Sequence, residues 1–167
     1  WESGKHTPEL ILDADEVIKS PGIPLTAPLV RQLIKQGTPI LSEIEFAARY
    51  THAKMICITG SNGKTVVKEW LYQLLKDDYR ITRSPKSYNS QIGVPLSVWQ
   101  LNEQTELAIF EAGISEIGEM TRLQPIIRPT IGVITYIGAE HGENFPSLEA
   151  KRAEKLQLFT GCNTIIE

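Results

Sequence analysis

The chain has 167 residues, of which 41% are hydrophobic and 22% are charged, a composition typical of one ordinary globular domain. Its formal net charge of −3 gives no reason to expect a nucleic-acid partner. No apolar run approaches the ~18 residues of a membrane span, and the polar first residues are not those of a signal peptide. We therefore expect a cytoplasmic protein without a membrane partner, in which Cys57 and Cys162 are buried thiols rather than a disulfide.

The first 53 residues contain strand and helix patterns, but too few strands for a complete doubly wound domain. In chain order they are a strand running into a Pro-Gly turn, a helix ended by glycine, a strand, and a short helix or linker: "DEVIKSPGIP", "APLVRQLIKQG", "TPILSE" and "IEFAARYTH". We expect this segment to be the end of a Rossmann-like domain whose beginning is absent.

Strands and helices alternate from residue 54 to the end. The predicted strands are "KMICITG", "YRITRSP", "LAIFEAG", "TIGVITYIG" and "NTIIE". The predicted helices are "KTVVKEWLYQLLK", a segment after Pro95, "EIGEMTRLQPII" kinked or ended at Pro125, and "SLEAKRAEKLQLF" with Ser147 as its N-cap. This order predicts an α/β domain, residues 54–167, with a parallel sheet flanked by helices.

Residues 58–65, "ITGSNGKT", lie between a predicted strand and a predicted helix. Gly60 and Gly63 allow a tight turn that points backbone N–H groups at an anion, and the helix N-terminus adds its dipole. Lys64 can reach terminal phosphates, and the Thr65 hydroxyl can bind Mg²⁺. The loop departs from the general phosphate-binding pattern, which has a glycine where Ile58 stands. The alternative is a simple strand-to-helix turn.

This loop resembles that of the Mur ligases, a family that lacks the same glycine, and folylpolyglutamate synthases share a similar loop. Several motifs from residue 55 onward resemble the Bacteroides-type branch that adds D-alanyl-D-alanine to UDP-muramoyl tripeptide: "SPKSYNSQIGVPLSVWQL", "GVITYIGAEHGENF" and "AKRAEKLQLF". Residues 1 to about 60, including "ADEVIKSPGIPLTAPLV", resemble the D-glutamate-adding branch. A natural recombinant, an engineered chimera and a divergent member all fit this pattern.

The resemblance implies that the chain binds ATP together with Mg²⁺, for which two sites are possible. It assigns the nucleotide to Gly60, Ser61, Asn62, Gly63, Lys64, Thr65 and Asn89. It assigns metal binding to Thr65, Glu111, His141 and Lys155, with Lys155 carrying a carbamate and Glu140 a possible helper. It assigns catalysis to Lys64, Asn89, His141 and Lys155.

Ordinary structural explanations exist for several of these residues. Asn89 fits turn chemistry, Glu111 a salt bridge at a strand end, and His141 a structural or exposed histidine. Lys155 could belong to a solvated basic helix face with Lys151 and Arg152.

Two further points concern the substrate and the site's geometry. In the branch that the first segment resembles, the turn with Ser20, Pro21 and Gly22 lies at the UDP diphosphate, although an ordinary strand-end turn fits equally. Tyr136 stands where the family has asparagine, and its side chain cannot reproduce an amide's paired donor and acceptor.

The reaction implied is ATP-driven amide-bond formation through an acyl phosphate, with UDP-muramoyl peptide and a D-amino acid or dipeptide as substrates. We expect a monomer that does not complete this reaction alone, because the family's C-terminal domain lies beyond Glu167. Rival readings are a non-catalytic nucleotide- or UDP-sugar-binding module and a scaffold in which the motifs are relics.

Overall fold

The computed structural model describes residues 6–20, 22–138 and 144–167. The chain forms two compact units that divide between Arg49 and Tyr50. The sequence places the boundary after residue 53, and the assignment of domains on either side stays a prediction. Among the described residues, no helix has the length and apolar character needed to cross a membrane.

The first unit contains a two-stranded parallel sheet and three helices. Its elements are α1 (Pro8–Leu12), β1 (Val17–Lys19), α2 (Pro28–Gln36), β2 (Ile40–Ser42) and α3 (Glu43–Ala48), and β1 pairs with β2. The strands and α2 follow the predicted order. The short helix α1 was not predicted. α3 resolves the choice between helix and linker, because Ser42 and Glu45 form a reciprocal capping box at its start.

The second unit is a five-stranded parallel sheet flanked by helices, which confirms the predicted fold class. Its elements are β3 (Lys54–Thr59), α4 (Lys64–Leu75), β4 (Ile81–Arg83), α5 (Gly93–Val98), β5 (Leu107–Ala112), α6 (Glu119–Ile127), β6 (Ile131–Ile134), α7 (Leu148–Gln157) and β7 (Thr164–Ile166). The strand order is β4-β5-β3-β6-β7, and every pair in it is parallel.

The core of this unit lies around β3 and β5, which are the most deeply buried strands. Apart from Lys54, Thr59 and Glu111 at or near the strand ends, both strands are runs of apolar residues, as expected for parallel strands covered on both faces. Helix α4 turns one apolar side towards this sheet. The strand residues of this core are Ile56, Ile58, Leu107 and Ile109, and Val67, Leu71 and Leu75 of α4 pack against them.

Three sequence expectations need correction or refinement. Helix α5 begins at Gly93, before Pro95, since proline needs no N–H partner in a first turn. Helix α6 contains Pro125 and continues to Ile127. Cys57 is buried as predicted, but Cys162 is only half-buried, and both are free thiols. Ser147 caps α7 as predicted, because its hydroxyl accepts from the backbone N–H of Ala150.

Candidate nucleotide and metal site

The loop at residues 60–65 lies at the carboxyl end of β3, where the order in which strands are added to the sheet reverses. The chain leaves β3 towards the β4 edge, whereas it leaves β6, the other neighbour of β3, towards β7. Ligands in open α/β sheets bind at such a switch point. Gly60 has a φ of 149° and Gly63 a φ of 84°. A Cβ on Gly60 would lie 1.9 Å from Thr135 Oγ1, so no side chain fits there.

The segment after β6 holds the loop in place through several hydrogen bonds. The Thr135 hydroxyl donates to the Asn62 carbonyl at 2.6 Å. The Ser61 N–H donates to the Tyr136 carbonyl at 2.8 Å, and the Ser61 hydroxyl accepts from the Gly138 N–H at 2.9 Å. The Tyr136 side chain is 70% exposed. Position 136 therefore contacts the loop through its backbone carbonyl, which any residue supplies.

Lys64 and Thr65 begin helix α4, and both turn towards the site. The Lys64 ammonium donates to the carbonyls of Gly60 and Ser61, each at 2.9 Å. It is thus folded over the loop where phosphate oxygens are expected. The Thr65 hydroxyl donates to Glu111 Oε2 at 3.1 Å, which joins the loop to the end of β5.

Glu111 is a fully buried carboxylate at the carboxyl end of β5. Its Oε2 accepts from Thr65, and Lys68 Nζ lies 2.9 Å from its Oε1. That contact has an ion-pair distance without hydrogen-bond geometry, so Oε1 has no hydrogen-bond partner among the described residues. A buried charged oxygen that keeps acceptor capacity is suited to a cation.

A cleft of about 180 Å³ opens beside the loop. The residues that line it are Gly60, Ser61, Lys64, Asn89, Ser90, Gln91, Gly113, Ile114, Ser115, Glu119, Lys151 and Lys155. Four of the predicted nucleotide residues (Gly60, Ser61, Lys64 and Asn89) thus share one concave surface with Lys155, whereas Asn62, Gly63, Thr65 and Glu111 do not line it. A small polar cleft at a strand end is the usual form of an α/β ligand site.

Two lysines of α7 reach into this cleft from a buried position. Lys151 and Lys155 are each 2% exposed. Lys155 Nζ donates to the Gly60 carbonyl at 3.2 Å, and Lys151 Nζ donates to the Gly138 carbonyl at 2.7 Å. Arg152 points to solvent and pairs with Glu167. The solvated basic face is therefore wrong for both lysines and right for Arg152.

Asn89 lines the same cleft as Lys64 at the start of helix α4. Its carbonyl accepts from the Gly113 N–H at 2.7 Å. A Cβ on Gly113 would lie 3.2 Å from Asn89 Oδ1, so the small residue lets the amide sit against the end of β5.

The remaining predicted residues are not part of this cluster. His141, Glu140 and Pro21 lie outside the described residues. Ser20 belongs to the first unit, where its hydroxyl donates to Glu43 Oε1 at 2.8 Å. Gly22 follows in the same turn, within which the Ile23 N–H donates to the Ser20 carbonyl.

Sequence reasoning missed three residues of the site: Lys68, Thr135 and Lys151. Lys68 follows Thr65 by three positions, a helical spacing that places both on one face and could have drawn attention to it. Thr135 directly follows a strand that neighbours the loop strand. Lys151 had no distinguishing signal, because a lysine beside an arginine on an amphipathic helix is usually exposed.

The described residues contain no group of three or more His, Cys, Asp or Glu side chains able to hold a metal. Proteins usually bind Mg²⁺ through one or two carboxylates together with substrate phosphates and waters. Thr65 and Glu111 supply the hard oxygen donors for such an ion. The described residues therefore fit a magnesium–nucleotide complex.

The chain is similar in sequence to known proteins. Residues 58–166 match the family model "Mur ligase middle domain". The UDP-N-acetylmuramoylalanine–D-glutamate ligase of Bacteroides thetaiotaomicron is 44% identical over 146 residues, which are 87% of this chain and 31% of that protein. The UDP-N-acetylmuramoyl-tripeptide–D-alanyl-D-alanine ligase of Borreliella burgdorferi is 42% identical over 113 residues, 68% of this chain and 24% of that protein.

A solved structure shows the same fold. The MurF ligase from Thermotoga maritima, crystallised in complex with ADP, superposes with a TM-score of 0.65 at 22% identity, covering 92% of this chain and 42% of that one. The chain spans between about a quarter and a third of the length of these two curated relatives. Similarity to a D-glutamate-adding ligase extends over 146 residues. The motifs had indicated a resemblance to that branch only in residues 1 to about 60.

Proposed function

The chain belongs to the Mur ligase family, and we propose that it is part of an ATP-dependent ligase that forms an amide bond in peptidoglycan precursors. Its second unit would bind ATP and Mg²⁺ in the cleft beside the loop at 60–65. The observation that carries this proposal is the contact between Thr65 and Glu111. It joins a phosphate-type loop to a buried carboxylate with unused acceptor capacity.

The residues of the cleft divide the work between binding and orientation. The N–H groups of the loop and the N-terminus of α4 would hold phosphate oxygens. Lys64 would exchange its two carbonyl partners for those oxygens, which are stronger acceptors for an ammonium. Asn89 faces the same cleft and can orient a phosphate or carboxylate through its amide. When bound, ATP supplies the phosphoryl group that activates a carboxylate, and Mg²⁺ neutralises its charge.

We propose that Lys155 carries a carbamate, as the family resemblance implies. The ammonium would first lose one proton, and the neutral Nζ would then attack the carbon of CO₂. An N–C bond would form as one C=O π bond opens to a carboxylate, and the nitrogen would release a second proton to solvent, so that a cation becomes an anionic oxygen donor. Lys155 is 2% exposed and lines the cleft, so the product would face the nucleotide. A ¹³C NMR signal from ¹³CO₂ that Lys155→Ala removes, and Arg152→Ala keeps, would support this modification. His141 as a metal ligand is part of the same proposal.

The amine substrate has two candidates. The motifs in residues 84–167 favour D-alanyl-D-alanine, added to UDP-muramoyl tripeptide. The longer match to D-glutamate-adding ligases favours D-glutamate, added to UDP-muramoyl-alanine. In the D-glutamate-adding reaction, Ser20, Pro21 and Gly22 would contact the UDP diphosphate. Mass spectrometry of two reactions, one with each substrate pair, ATP and Mg²⁺, distinguishes the candidates by the mass of the product. Because we do not expect this chain alone to complete the reaction, nucleotide binding without either product is the expected result, and multiple-turnover formation of either product would contradict that expectation.

Nucleotide binding is the direct test of the proposed site. We expect ATP with Mg²⁺ to bind measurably by calorimetry, and Lys64→Ala to weaken binding by about 1.5–3 kcal/mol, the contribution of charged hydrogen bonds. That loss corresponds to roughly 10- to 150-fold in affinity.

The matched control is Lys76→Ala, which removes an exposed lysine at the far end of the same helix. It should leave the affinity unchanged. Wild-type affinity in Lys64→Ala would exclude this loop as the phosphate site, and no binding by the wild-type chain would contradict the proposed function itself.

A further inference from the structure

Lys68 is the most completely buried cation near the cleft, with no exposed surface. It lies on α4, three residues after Thr65. Its ammonium approaches Glu111 Oε1 at 2.9 Å and Glu69 Oε1 at 3.4 Å. It also donates to two backbone carbonyls, those of Ser84 at 2.9 Å and of Lys86.

These partners belong to three different parts of the site. Glu111 lies near the end of β5, and Glu69 lies beside Lys68 on the helix after the phosphate loop. The two carbonyls belong to the segment between β4 and α5. That segment continues to Asn89, which lines the cleft. A single buried ammonium therefore connects the loop helix, the candidate metal ligand and the strand-end segment that carries the amide.

The backbone around Lys68 is shaped to complete this arrangement. Lys86 has a φ of 47°, in the left-handed region that non-glycine residues rarely adopt. Its carbonyl is directed at the Lys68 ammonium. Backbone conformations of this kind cluster at functional sites, where surrounding contacts hold them.

A buried ion pair is weak support for a stabilising role, since well-packed apolar residues often stabilise a core equally well. Position distinguishes this pair from an ordinary one. Thr65 donates to Oε2 of the carboxylate while Lys68 lies beside Oε1, so the two residues restrain the carboxylate at both oxygens. Because Oε1 has no hydrogen bond, the restraint leaves acceptor capacity on a carboxylate whose orientation is fixed.

We propose that Lys68 is a positioning residue for the metal site: it holds the Glu111 carboxylate in the orientation in which it binds Mg²⁺ beside Thr65. This inference rests on the proposed function, because it assigns the carboxylate to a metal–nucleotide complex. Lys68 acts through Glu111 and does not itself contact the nucleotide. Partners that orient metal ligands in this way typically contribute 10- to 100-fold to metal affinity.

The test measures how much Mg²⁺ the chain needs to bind ADP. In Lys68→Met, which keeps the length of the side chain without its charge, we expect the Mg²⁺ concentration for half-maximal ADP binding to rise about 10- to 100-fold. The affinity for ADP without metal should stay within about twofold, because the loop is intact. Lys76→Met, the exposed lysine at the end of the same helix, is the matched control and should match the wild type. Electron paramagnetic resonance of Mn²⁺ in the presence of ADP should show a lower affinity for Mn²⁺ in Lys68→Met and an unchanged affinity in Lys76→Met.

A double-mutant cycle separates positioning from a general effect on folding. If Lys68 acts through Glu111, Lys68→Met combined with Glu111→Gln should have the same Mg²⁺ requirement as Glu111→Gln alone. If Lys68→Met does not fold, Lys68→Gln, whose amide can still donate to a carbonyl, should show the same rise. The inference would be overturned if the folded Lys68 variant needed no more Mg²⁺ than the wild type for half-maximal ADP binding. It would also be overturned if the double variant needed more Mg²⁺ than Glu111→Gln alone. A wild-type chain that shows no Mg²⁺-dependent ADP binding would instead contradict the proposed function.

Discussion

Gly60 of the phosphate loop packs so tightly against Thr135 that we expect Gly60→Ala to destabilise the protein. The added Cβ would lie 1.9 Å from Thr135 Oγ1 and 3.1 Å from Thr135 Cβ. Thr135 cannot rotate freely to make room, because its hydroxyl donates to the carbonyls of Thr59 and Asn62. The loop or the segment after β6 must therefore shift.

Two costs contribute to the expected loss of stability. The φ of 149° at Gly60 is unfavourable for alanine, at about 1–3 kcal/mol. Displacement of packed neighbours costs about 1–3 kcal/mol more. The sum of roughly 2–6 kcal/mol is a large part of the ~5–15 kcal/mol that stabilises a typical protein. For a chain of this size it corresponds to a fall in Tm of about 4–24 °C.

Differential scanning calorimetry of Gly60→Ala beside Gly118→Ala tests this reasoning. Gly118 also has a positive φ, 86°, but no atom lies within 4 Å of its Cβ position, so its substitution carries the backbone cost without the clash. Gly60→Ala should therefore be the less stable variant and should also bind nucleotide more weakly. In a Thr135→Ala background, Gly60→Ala should cost less. Equal losses in the two glycine variants would show that the close approach to Thr135 is unimportant.

Three further predictions concern packing, capping and thiol chemistry. Lys151→Met removes a buried ammonium that donates to a carbonyl at 2.7 Å, so the free energy of unfolding in urea should fall by about 1.5–3 kcal/mol. The exposed control Arg152→Met should change the free energy of unfolding far less, and equal effects of the two substitutions would contradict the role of burial. Ser147→Ala removes the cap of α7 and should cost about 1 kcal/mol in the same assay, whereas no loss would mean that the N-terminal turn does not need the cap. Burial raises the pKa of the Cys57 thiol far above its ordinary value of 9.0, and the pKa of Cys162 rises for the same reason. Iodoacetamide at pH 8, read by mass spectrometry, should therefore label Cys162 faster than Cys57, and equal labelling rates would contradict the burial argument. The folded state should lose stability as pH rises above about 9, because the thiols ionise in the unfolded chain while they stay protonated in the folded one.

Much of the fold was predictable from local patterns. Apolar runs marked the central strands β3 and β5, because strands buried on both faces of a parallel sheet need apolar residues almost throughout. The edge strands β4 and β7 are less buried, and the alternation with helical patterns indicated their places. Ser147 predicted the start of α7, since a hydroxyl before a helical pattern accepts a hydrogen bond from a backbone N–H that has no partner within the helix. The helix α1 and the true start of α5 were not predictable, because short helices at the surface have weak periodicity and depend on their neighbours.

The candidate site was partly predictable for a similar reason. A glycine-rich loop between strand and helix identifies itself, and Glu111 ends a strand whose carboxyl end must lie beside it in a parallel sheet. The burial of Lys68 and Lys151 was not predictable. A lysine at helical spacing has the same sequence signature whether its ammonium meets solvent or a carboxylate from a strand more than forty residues away.

The amino-acid sequence contains, without further information, the order of the elements, the phosphate-type loop and the family resemblance. Each is encoded within a short stretch of chain, by periodicity or by glycine, proline and hydroxyl residues with local effects. Folding decides which charges are buried, which carbonyls they meet, and that Tyr136 contacts the loop by its backbone rather than its side chain. These contacts join residues far apart in the chain, such as Lys155 and Gly60, and their energies depend on distance and solvent exclusion, which arise when the sheet assembles.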